Sequence, residues 1–169
     1  MTHPVHKWVF KASADCRRRV KNEEGWKMVP YVCAAGKWTV GAGRRLYPDS
    51  KIPGLYYNSF LKRWFGKLTE ATAEKLLDED IAKCEKAILD LVDVPLNQNQ
   101  FDALVIFIFN IGRNAFAGST LLRYVDARLW GSAAKQMDRW VHDDDGNVIE
   151  GLVNRQKRTR ALFQKVETA

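Results

Sequence analysis

A glutamate at the end of the first predicted helix is the residue best placed to do acid chemistry. Cys16, Val20 and Glu24 are four residues apart and share one helix face, whereas Glu23 is rotated from it by about 100°. We therefore expect Glu24 to face the interior, where desolvation and the helix dipole both raise the pKa of its carboxyl group. A carboxylic acid kept protonated near neutral pH can protonate the leaving oxygen of a glycoside. The alternative is an ordinary acidic residue at a helix end, beside Arg155 or another base.

The elements that would position this glutamate begin with a helix from an N-cap at Ser13 to Glu24, with Gly25 as its C-terminal cap. The glycines and β-formers of residues 30–47 predict a short hairpin or small sheet. The aromatic stretch 56–65 predicts a short helix.

The second half of the sequence is strongly helical. A stripe of apolar residues predicts a long helix from Thr69 that ends before Pro95, namely Leu77, Ile81, Cys84, Ile88 and Leu91. Asn97 and Gln100 form a capping-box pattern, and the helix that follows through Ile111 is apolar on every side, which is typical of a core helix. Three further helices are predicted over residues 119–130, 132–141 and 152–166.

The residues around Glu24 resemble the active-site segment of phage-type lysozymes, the glycoside hydrolases of tailed-phage endolysins. These enzymes have a glutamate, eight further residues, an aspartate or cysteine, five more residues and a threonine. Glu24, Cys33 and Thr39 stand at those intervals, and Gly43 closes the segment. The resemblance continues in the same order to about Phe163, through LTEATAEKLLDEDI, NQNQFDALVIFIFNIG, FAGSTLLRYV and GLVNRQKRTRALF.

The resemblance implies a lysozyme-like α+β fold that is mostly α, with a small β-containing lobe and a larger helical lobe around a cleft. We expect one catalytic domain over residues 1–169. Residues 1–12 would be a loose tail, 13–68 the first helix and β-containing lobe, 69–94 the connecting helix, and 95–169 the helical lobe on which the first helix packs.

The implied activity is muramidase: hydrolysis of the β-1,4 bond between N-acetylmuramic acid and N-acetylglucosamine in peptidoglycan, with inversion at the anomeric carbon. Glu24 would be the general acid, Cys33 would assist the attacking water, and Thr39 would place that water or the sugar. The resemblance also implies a set of substrate-binding residues, namely Tyr31, Gly43, Arg44, Phe116, Ser119 and Arg155. Arg155 matches a family arginine that lies against the catalytic glutamate, where its charge would lower the Glu24 pKa and oppose desolvation.

Two positions depart from many relatives. Cys33 stands where they have aspartate, and an ordinary thiol is almost entirely protonated at pH 7. Cys33 must therefore have a pKa lowered by Arg44 or Arg45, or it only orients a water. Arg44 stands where relatives have histidine, and it is either a cation at the edge of the cleft or a solvated strand end.

Two rival functions follow from these departures and from the charge. A lytic transglycosylase cleaves the same bond and needs a single acid, which the loss of the second carboxylate permits. A basic, non-catalytic wall-binding protein on the same scaffold is the other rival, although Glu24 and Thr39 argue against it.

The overall charge predicts an anionic partner. The 27 lysines and arginines against 20 acidic residues give a net charge of +7, which suits nucleic acid, a membrane surface or a wall polymer. The basic residues near the C-terminus are either a solvated helix face or a contact with lipopolysaccharide or anionic wall polymers, namely Arg155, Lys157, Arg158 and Arg160. The same two interpretations apply to the residues 17–19. No nucleic-acid-binding signature accompanies either cluster. The resemblance implies that peptidoglycan glycan strands are the partner, and we expect a monomer.

Other features predict neither a metal nor a cofactor. His3 and His6 are expected to lie in the tail. The acidic run that begins at Asp143 is expected to be a turn, because Val141 and Leu152 occupy positions where a calcium loop needs carboxylates. The three cysteines lack metal-site spacing and should be free thiols. The aromatic side chains of 56–65 either stack on sugars or cover the core, and core covering is favoured.

The expected location follows from the absence of a signal-peptide pattern and of a long apolar run. The longest apolar run, residues 103–109, is far shorter than the roughly 20 residues of a transmembrane helix. We expect a protein made in the host cytoplasm that reaches the periplasm and cell wall through a separate membrane pore protein.

Overall fold

A computed structural model describes residues 11–33, 36–143 and 145–165 of the chain. The chain divides into two compact units. One, called here the β-containing unit, is Arg18–Asp80, and the other, the helical unit, consists of Met1–Arg17 and Ile81–Ala169. His3, His6 and most of the predicted tail lie outside the described residues.

The first helix, α1, spans Ala14–Glu24 as predicted. The backbone N–H of Cys16 donates to Ser13 Oγ over 3.1 Å, so Ser13 is the N-cap. Ser13 Oγ in turn donates to Asp102, which is almost fully buried. At the other end, Gly25 has φ +77°, a left-handed conformation that glycine adopts without steric penalty.

The predicted small sheet follows α1. It is antiparallel, in the order β1–β2–β3, and its strands are β1 (Lys27–Val32), β2 (Trp38–Gly41) and β3 (Arg44–Arg45). Tyr31 pairs with Thr39 across β1 and β2, and Val40 pairs with Arg44 across β2 and β3. The sheet therefore places Tyr31 beside Thr39 and Val40 beside Arg44.

The predicted helix over 56–65 is wrong, because this stretch is a β-hairpin of β4 (Leu55–Asn58) and β5 (Arg63–Gly66). Two local features make the turn: Asn58 Oδ1 accepts the backbone N–H of Leu61 over 2.9 Å, and Lys62 adopts a left-handed φ of 51°. A left-handed residue cannot continue a right-handed helix.

The core of the β-containing unit lies between the strands and the start of the second helix. It is formed by buried apolar side chains, namely Val40, Leu46, Ile52, Trp64, Leu68, Ala73 and Leu76. Tyr57 packs against this cluster and Trp64 belongs to it, so these two aromatic side chains cover the core as favoured above. Tyr56 and Phe65 alternate with them and lie on the other face of the hairpin.

The long helix α2 spans Glu70–Leu91. Thr69 Oγ1 accepts the backbone N–H of Thr72 at its start, and its last residue comes four positions before Pro95. The apolar stripe predicted from the sequence is buried at Leu77, Ile81, Cys84 and Ile88.

The helical unit is built around α3 (Gln98–Ile111), whose N-terminus has the predicted capping box of Asn97 and Gln100. Nine consecutive residues of α3, from Gln100 to Ile108, are buried. α7 (Glu150–Phe163) packs on α3. The long apolar helix is thus the core helix that its all-round hydrophobicity predicts.

Between α3 and α7 lie three shorter helices, α4 (Arg113–Ala117), α5 (Thr120–Asp126) and α6 (Trp130–Met137). α4 was not predicted, and the predicted helices 119–130 and 132–141 were wrong at their boundary. Arg128 has a left-handed φ of 57°, and Leu129 N–H donates to Tyr124 O, which closes α5 and lets α6 begin at Trp130. Within the described ranges, no helix is both long and apolar enough to cross a membrane.

Candidate active site

Glu24 is the last residue of α1, and its carboxylate lies against the loop between β2 and β3. A Cβ placed on Gly43 would stand 3.3 Å from Glu24 Oε2. Gly43 has φ +78°, so both its conformation and the nearby carboxylate favour glycine. The side chain of Glu24 is half-buried. The backbone at Gly43 therefore forms one wall of the space that holds this carboxylate.

Tyr31 and Cys33 belong to the same neighbourhood. Burial raises the pKa of the Tyr31 phenol, and the negative charges of Cys33 and Glu24 raise it further. The Tyr31 ring also lies beneath the ammonium of Lys27, at 4.1 Å from the ring centroid. The phenol of Tyr31 is thus within electrostatic range of both residues predicted to do chemistry.

Thr39 and Cys33 are joined through one backbone carbonyl. Lys37 O accepts the Thr39 hydroxyl over 3.0 Å and the Cys33 backbone N–H over 2.9 Å. The Thr39 side chain is almost completely buried, with 4% of its surface exposed, whereas Cys33 is half-buried. The donor of the Thr39 hydroxyl is occupied, so its oxygen lone pairs remain to accept a hydrogen bond. Sequence reasoning did not single out Lys37, because its contribution comes from the main chain.

Arg44 is held by the second helix, so the hypothesis of a solvated strand end is wrong. Its Nε and Nη2 donate to the two carboxylate oxygens of Asp80, each over 2.8 Å, and Nη2 also contacts Leu76 O at 3.0 Å and Glu79 at 3.1 Å. A bidentate arginine–carboxylate pair is among the stronger polar contacts in proteins. Arg44 therefore fixes the strand that follows Gly43 to α2.

The other predicted substrate-binding residues belong to the helical unit. Phe116 is fully buried in α4. Ser119 is buried as well and is the N-cap of α5, where Oγ accepts Leu122 N–H over 3.1 Å and donates to Phe116 O over 2.7 Å. Arg155 is half-buried in α7 and donates to Asn110 Oδ1. The structure thus gives Phe116 and Ser119 clear structural roles.

The acidic run in the helical unit is a turn among its described residues. Asp143 Oδ1 accepts the backbone N–H groups of Asp145 and Asn147, and these hydrogen bonds lower the pKa of Asp143. Gly146 has φ +83°, and His142 and Val148 form a bridge across the turn. Over the part of the chain that the structure describes, no three histidine, cysteine, aspartate or glutamate residues form a metal-binding group. None of the three cysteines forms a disulfide within the described residues.

Comparison with known proteins matches residues 21–159 to the phage lysozyme family model. That range contains Glu24, Cys33, Thr39 and Arg155. The chain belongs to the phage lysozyme family. The endolysin of Salmonella phage P22 is 39% identical to this phage lysozyme over 155 residues, which cover 92% of the chain and 99% of the relative. The endolysin of Acyrthosiphon pisum secondary endosymbiont phage 1 is 31% identical and covers 86% and 92% of the two chains.

Similarity to solved structures supports the same family assignment. A mutant P22 lysozyme is 37% identical, with a TM-score of 0.75 over 93% of this phage lysozyme and all of that chain. The muramidase domain of SpmX from Asticaccaulis excentricus is 31% identical, with a TM-score of 0.77 over 92% and 99% of the two chains. The predicted lysozyme-like α+β fold is confirmed, and this phage lysozyme is an endolysin that hydrolyses peptidoglycan.

Proposed function

We propose that this phage lysozyme cleaves the β-1,4 bond between N-acetylmuramic acid and N-acetylglucosamine, and that it inverts the anomeric carbon. The observation that carries the proposal is the position of Glu24 Oε2 beside Gly43, where an added Cβ would stand 3.3 Å from it. It fixes a carboxyl group in the same unit as the linked pair Cys33 and Thr39.

In the proposed reaction, Glu24 donates its proton to the glycosidic oxygen as the bond to the muramic acid C1 breaks. A water attacks C1 from the opposite face in the same displacement, and its oxygen forms the new bond there. The water gives up one proton, either to the thiolate form of Cys33, which becomes the neutral thiol, or to solvent through water that Cys33 orients. Thr39 accepts a hydrogen bond from the water or the sugar. Because the carbonyl of Lys37 accepts hydrogen bonds from both residues, Cys33 and Thr39 act from neighbouring positions in the β-containing unit.

Several further roles belong to the same proposal. Tyr31, Gly43 and Arg44 would bind the glycan from the β-containing unit, whereas Phe116, Ser119 and Arg155 would act from the helical unit. For Phe116 and Ser119, burial favours an indirect role in shaping the backbone. We propose that the two units work as one catalytic domain, since the family match extends through both.

One alternative reaction is favoured by a specific residue. A lytic transglycosylase needs one acid and closes the muramic acid on its own C6 hydroxyl, and Cys33 stands where a second carboxylate is common. The masses of the released muropeptides separate the two reactions, because hydrolysis adds one water for each bond cut and cyclisation adds none. The anomer of the first-formed product, read by proton NMR, tests inversion.

The cellular route is also a proposal. The similar proteins from phage P22 and from the Acyrthosiphon pisum endosymbiont phage are endolysins. We propose synthesis in the host cytoplasm and passage to the periplasm and cell wall through a separate pore protein. We further propose action as a monomer, with contact between its basic residues and lipopolysaccharide or anionic wall polymers. Lysis that occurs only when a pore protein is co-expressed would support the route.

The direct test is turbidity loss on purified peptidoglycan with the wild type, Glu24→Gln, Cys33→Ala and Cys33→Asp side by side. The proposal expects Glu24→Gln to be inactive and the products of the wild type to carry one added water per cut. Anhydro products would contradict hydrolysis and support the lytic transglycosylase reaction.

A further inference from the structure

The β4–β5 hairpin has an inner and an outer face, and only the inner face contributes to the core. On the outer face, the rings of Tyr56 and Phe65 stack with centroids 5.6 Å apart and an interplanar angle of 17°. The guanidinium of Arg63 lies 5.2 Å from the Phe65 centroid. The Phe65 ring therefore already has aromatic and cationic neighbours, which leaves little free ring face for stacking on a sugar.

Apart from Tyr56, which is 61% exposed, the exposed large apolar side chains of the hairpin lie at its turn, residues 59–62. Phe60 is 90% exposed and Leu61 is 54% exposed, and the two are consecutive. We call Phe60 and Leu61 the apolar tip. Large side chains exposed together in this way typically mark an interaction surface.

Cations flank the apolar tip. Lys62 and Arg63 follow it directly, and neither forms an ion pair with any of the described residues. The whole stretch 50–69 contains four cations, Lys51, Lys62, Arg63 and Lys67, and no aspartate or glutamate. The hairpin therefore presents an apolar tip within a locally positive surface.

Anionic partners differ in whether they can accommodate both the apolar tip and the cations beside it. A glycan strand or a nucleic acid can offer the cations a counter-charge and a surface on which Phe60 stacks, but it offers no apolar environment for the aliphatic side chain of Leu61. An anionic bilayer satisfies both parts, since apolar side chains enter the boundary between headgroups and acyl chains while lysine and arginine remain at the phosphates. The chemistry of the tip thus fits a phospholipid surface better than a polymer.

We propose that the β4–β5 hairpin is a membrane-docking element that binds anionic phospholipid bilayers through Phe60 and Leu61, with Lys62 and Arg63 on the headgroups. It is separate from peptidoglycan hydrolysis and adds a second surface to which the endolysin binds. Binding requires no change in the catalytic residues, because the tip belongs to a turn stabilised by its own Asn58–Leu61 hydrogen bond.

The test is sedimentation of the purified full chain with vesicles of phosphatidylglycerol and phosphatidylcholine in equal parts, compared with pure phosphatidylcholine vesicles. The wild type should bind the anionic vesicles and lose binding at high salt. The double variant Phe60→Ser/Leu61→Ser should bind at least about tenfold more weakly, since two apolar side chains no longer enter the interface. Lys62→Gln and Arg63→Gln should each weaken binding about fivefold.

Controls separate docking from catalysis and from folding. Val148→Ser removes another exposed apolar side chain, 61% exposed, in the helical unit and should leave vesicle binding unchanged. Glu24→Gln should also bind vesicles like the wild type, and the tip variants should retain hydrolysis of purified peptidoglycan. The proposal is overturned if the tip variants sediment with anionic vesicles like the wild type. It is also overturned if the wild type does not prefer them to neutral vesicles, or if the tip variants lose binding to peptidoglycan instead.

Discussion

The carboxylate of Glu24 and the backbone of Gly43 are in van der Waals proximity: a Cβ on Gly43 would stand 3.3 Å from Glu24 Oε2. The two residues belong to different elements, since Glu24 ends α1 and Gly43 lies between β2 and β3. The position of the acid therefore depends on the loop as well as on its own helix.

Gly43→Ala should reduce kcat by about tenfold or more, because the added methyl displaces the Glu24 carboxylate from the reacting oxygen. The variant should also lose about 1 kcal/mol of unfolding free energy, since alanine is strained at positive φ. Gly146→Ala is the matched control, as Gly146 has φ +83° and no heavy atom of the described residues within 4 Å of the added Cβ. The proximity of Gly43 to Glu24 is supported if both variants lose similar stability but only Gly43→Ala loses kcat. An unchanged kcat in Gly43→Ala would contradict it.

Replacement of Cys33 should separate its two proposed roles. Cys33→Ala should reduce the rate of wall hydrolysis by about 100-fold if the residue acts on the attacking water. Cys33→Asp should retain activity, because a carboxylate can both orient water and accept its proton. Cys33→Ser can orient water but does not ionise near pH 7. If orientation of the water is enough, this variant should be as active as the wild type. If a base is needed, it should be as inactive as Cys33→Ala. A fully active Cys33→Ala enzyme would remove Cys33 from the mechanism.

The Arg44–Asp80 pair should stabilise the fold far more than an exposed pair does. Both side chains are largely buried and joined by two hydrogen bonds of 2.8 Å. A double-mutant cycle with Arg44→Ala and Asp80→Ala should give a coupling free energy of about 2 kcal/mol. The exposed pair Lys86–Asp90 is the control and should give about 0.5 kcal/mol in the same urea-unfolding experiment. Equal coupling in the two cycles would contradict the anchoring role of Arg44.

The Cys16 thiol should make the protein less stable in alkali. Cys16 is fully buried, and burial, followed by the nearby Asp102 charge, raises its pKa well above the ordinary thiol value. The unfolded chain therefore loses this proton above about pH 8.5 while the folded chain retains it, so stability falls with rising pH by up to about 1.4 kcal/mol per unit.

Urea unfolding of the wild type and Cys16→Ala across that alkaline range measures the effect. Cys16→Ala should start from a lower stability and show a shallower fall, whereas Cys33→Ala, which keeps Cys16, should fall as steeply as the wild type. Parallel curves for the wild type and Cys16→Ala would show that the Cys16 thiol does not contribute.

Features with a local signal were predictable from the sequence. The N-cap at Ser13 and the capping box at Asn97 depend on residues three positions apart, and both are present. The all-round apolar pattern of α3 likewise reports burial directly. The spacing of Glu24, Cys33 and Thr39 identified the segment in which the structure links Cys33 and Thr39 through Lys37 O.

Features set by distant contacts or by unusual backbone were not predictable. The β4–β5 hairpin has aromatic side chains on both faces, so the alternation of strand faces is hidden, and its turn depends on the left-handed Lys62. The left-handed Arg128 likewise separates α5 from α6 without a glycine to signal it. The partner of Arg44 lies 36 residues away on α2, and no local pattern joins the two.

The most direct test of the central claim compares Glu24→Gln with Glu23→Gln in the rate of bond cleavage on purified peptidoglycan. Both changes remove one carboxyl group from a half-buried residue at the end of α1, and Glu23 Oε2 is itself buried, so a stability measurement accompanies both variants. Glu24→Gln should lose activity by at least about 100-fold, because an amide cannot donate the proton, while Glu23→Gln should stay close to the wild type. A Glu24→Gln enzyme that releases muropeptides as fast as the wild type would contradict the assignment of Glu24 as the acid.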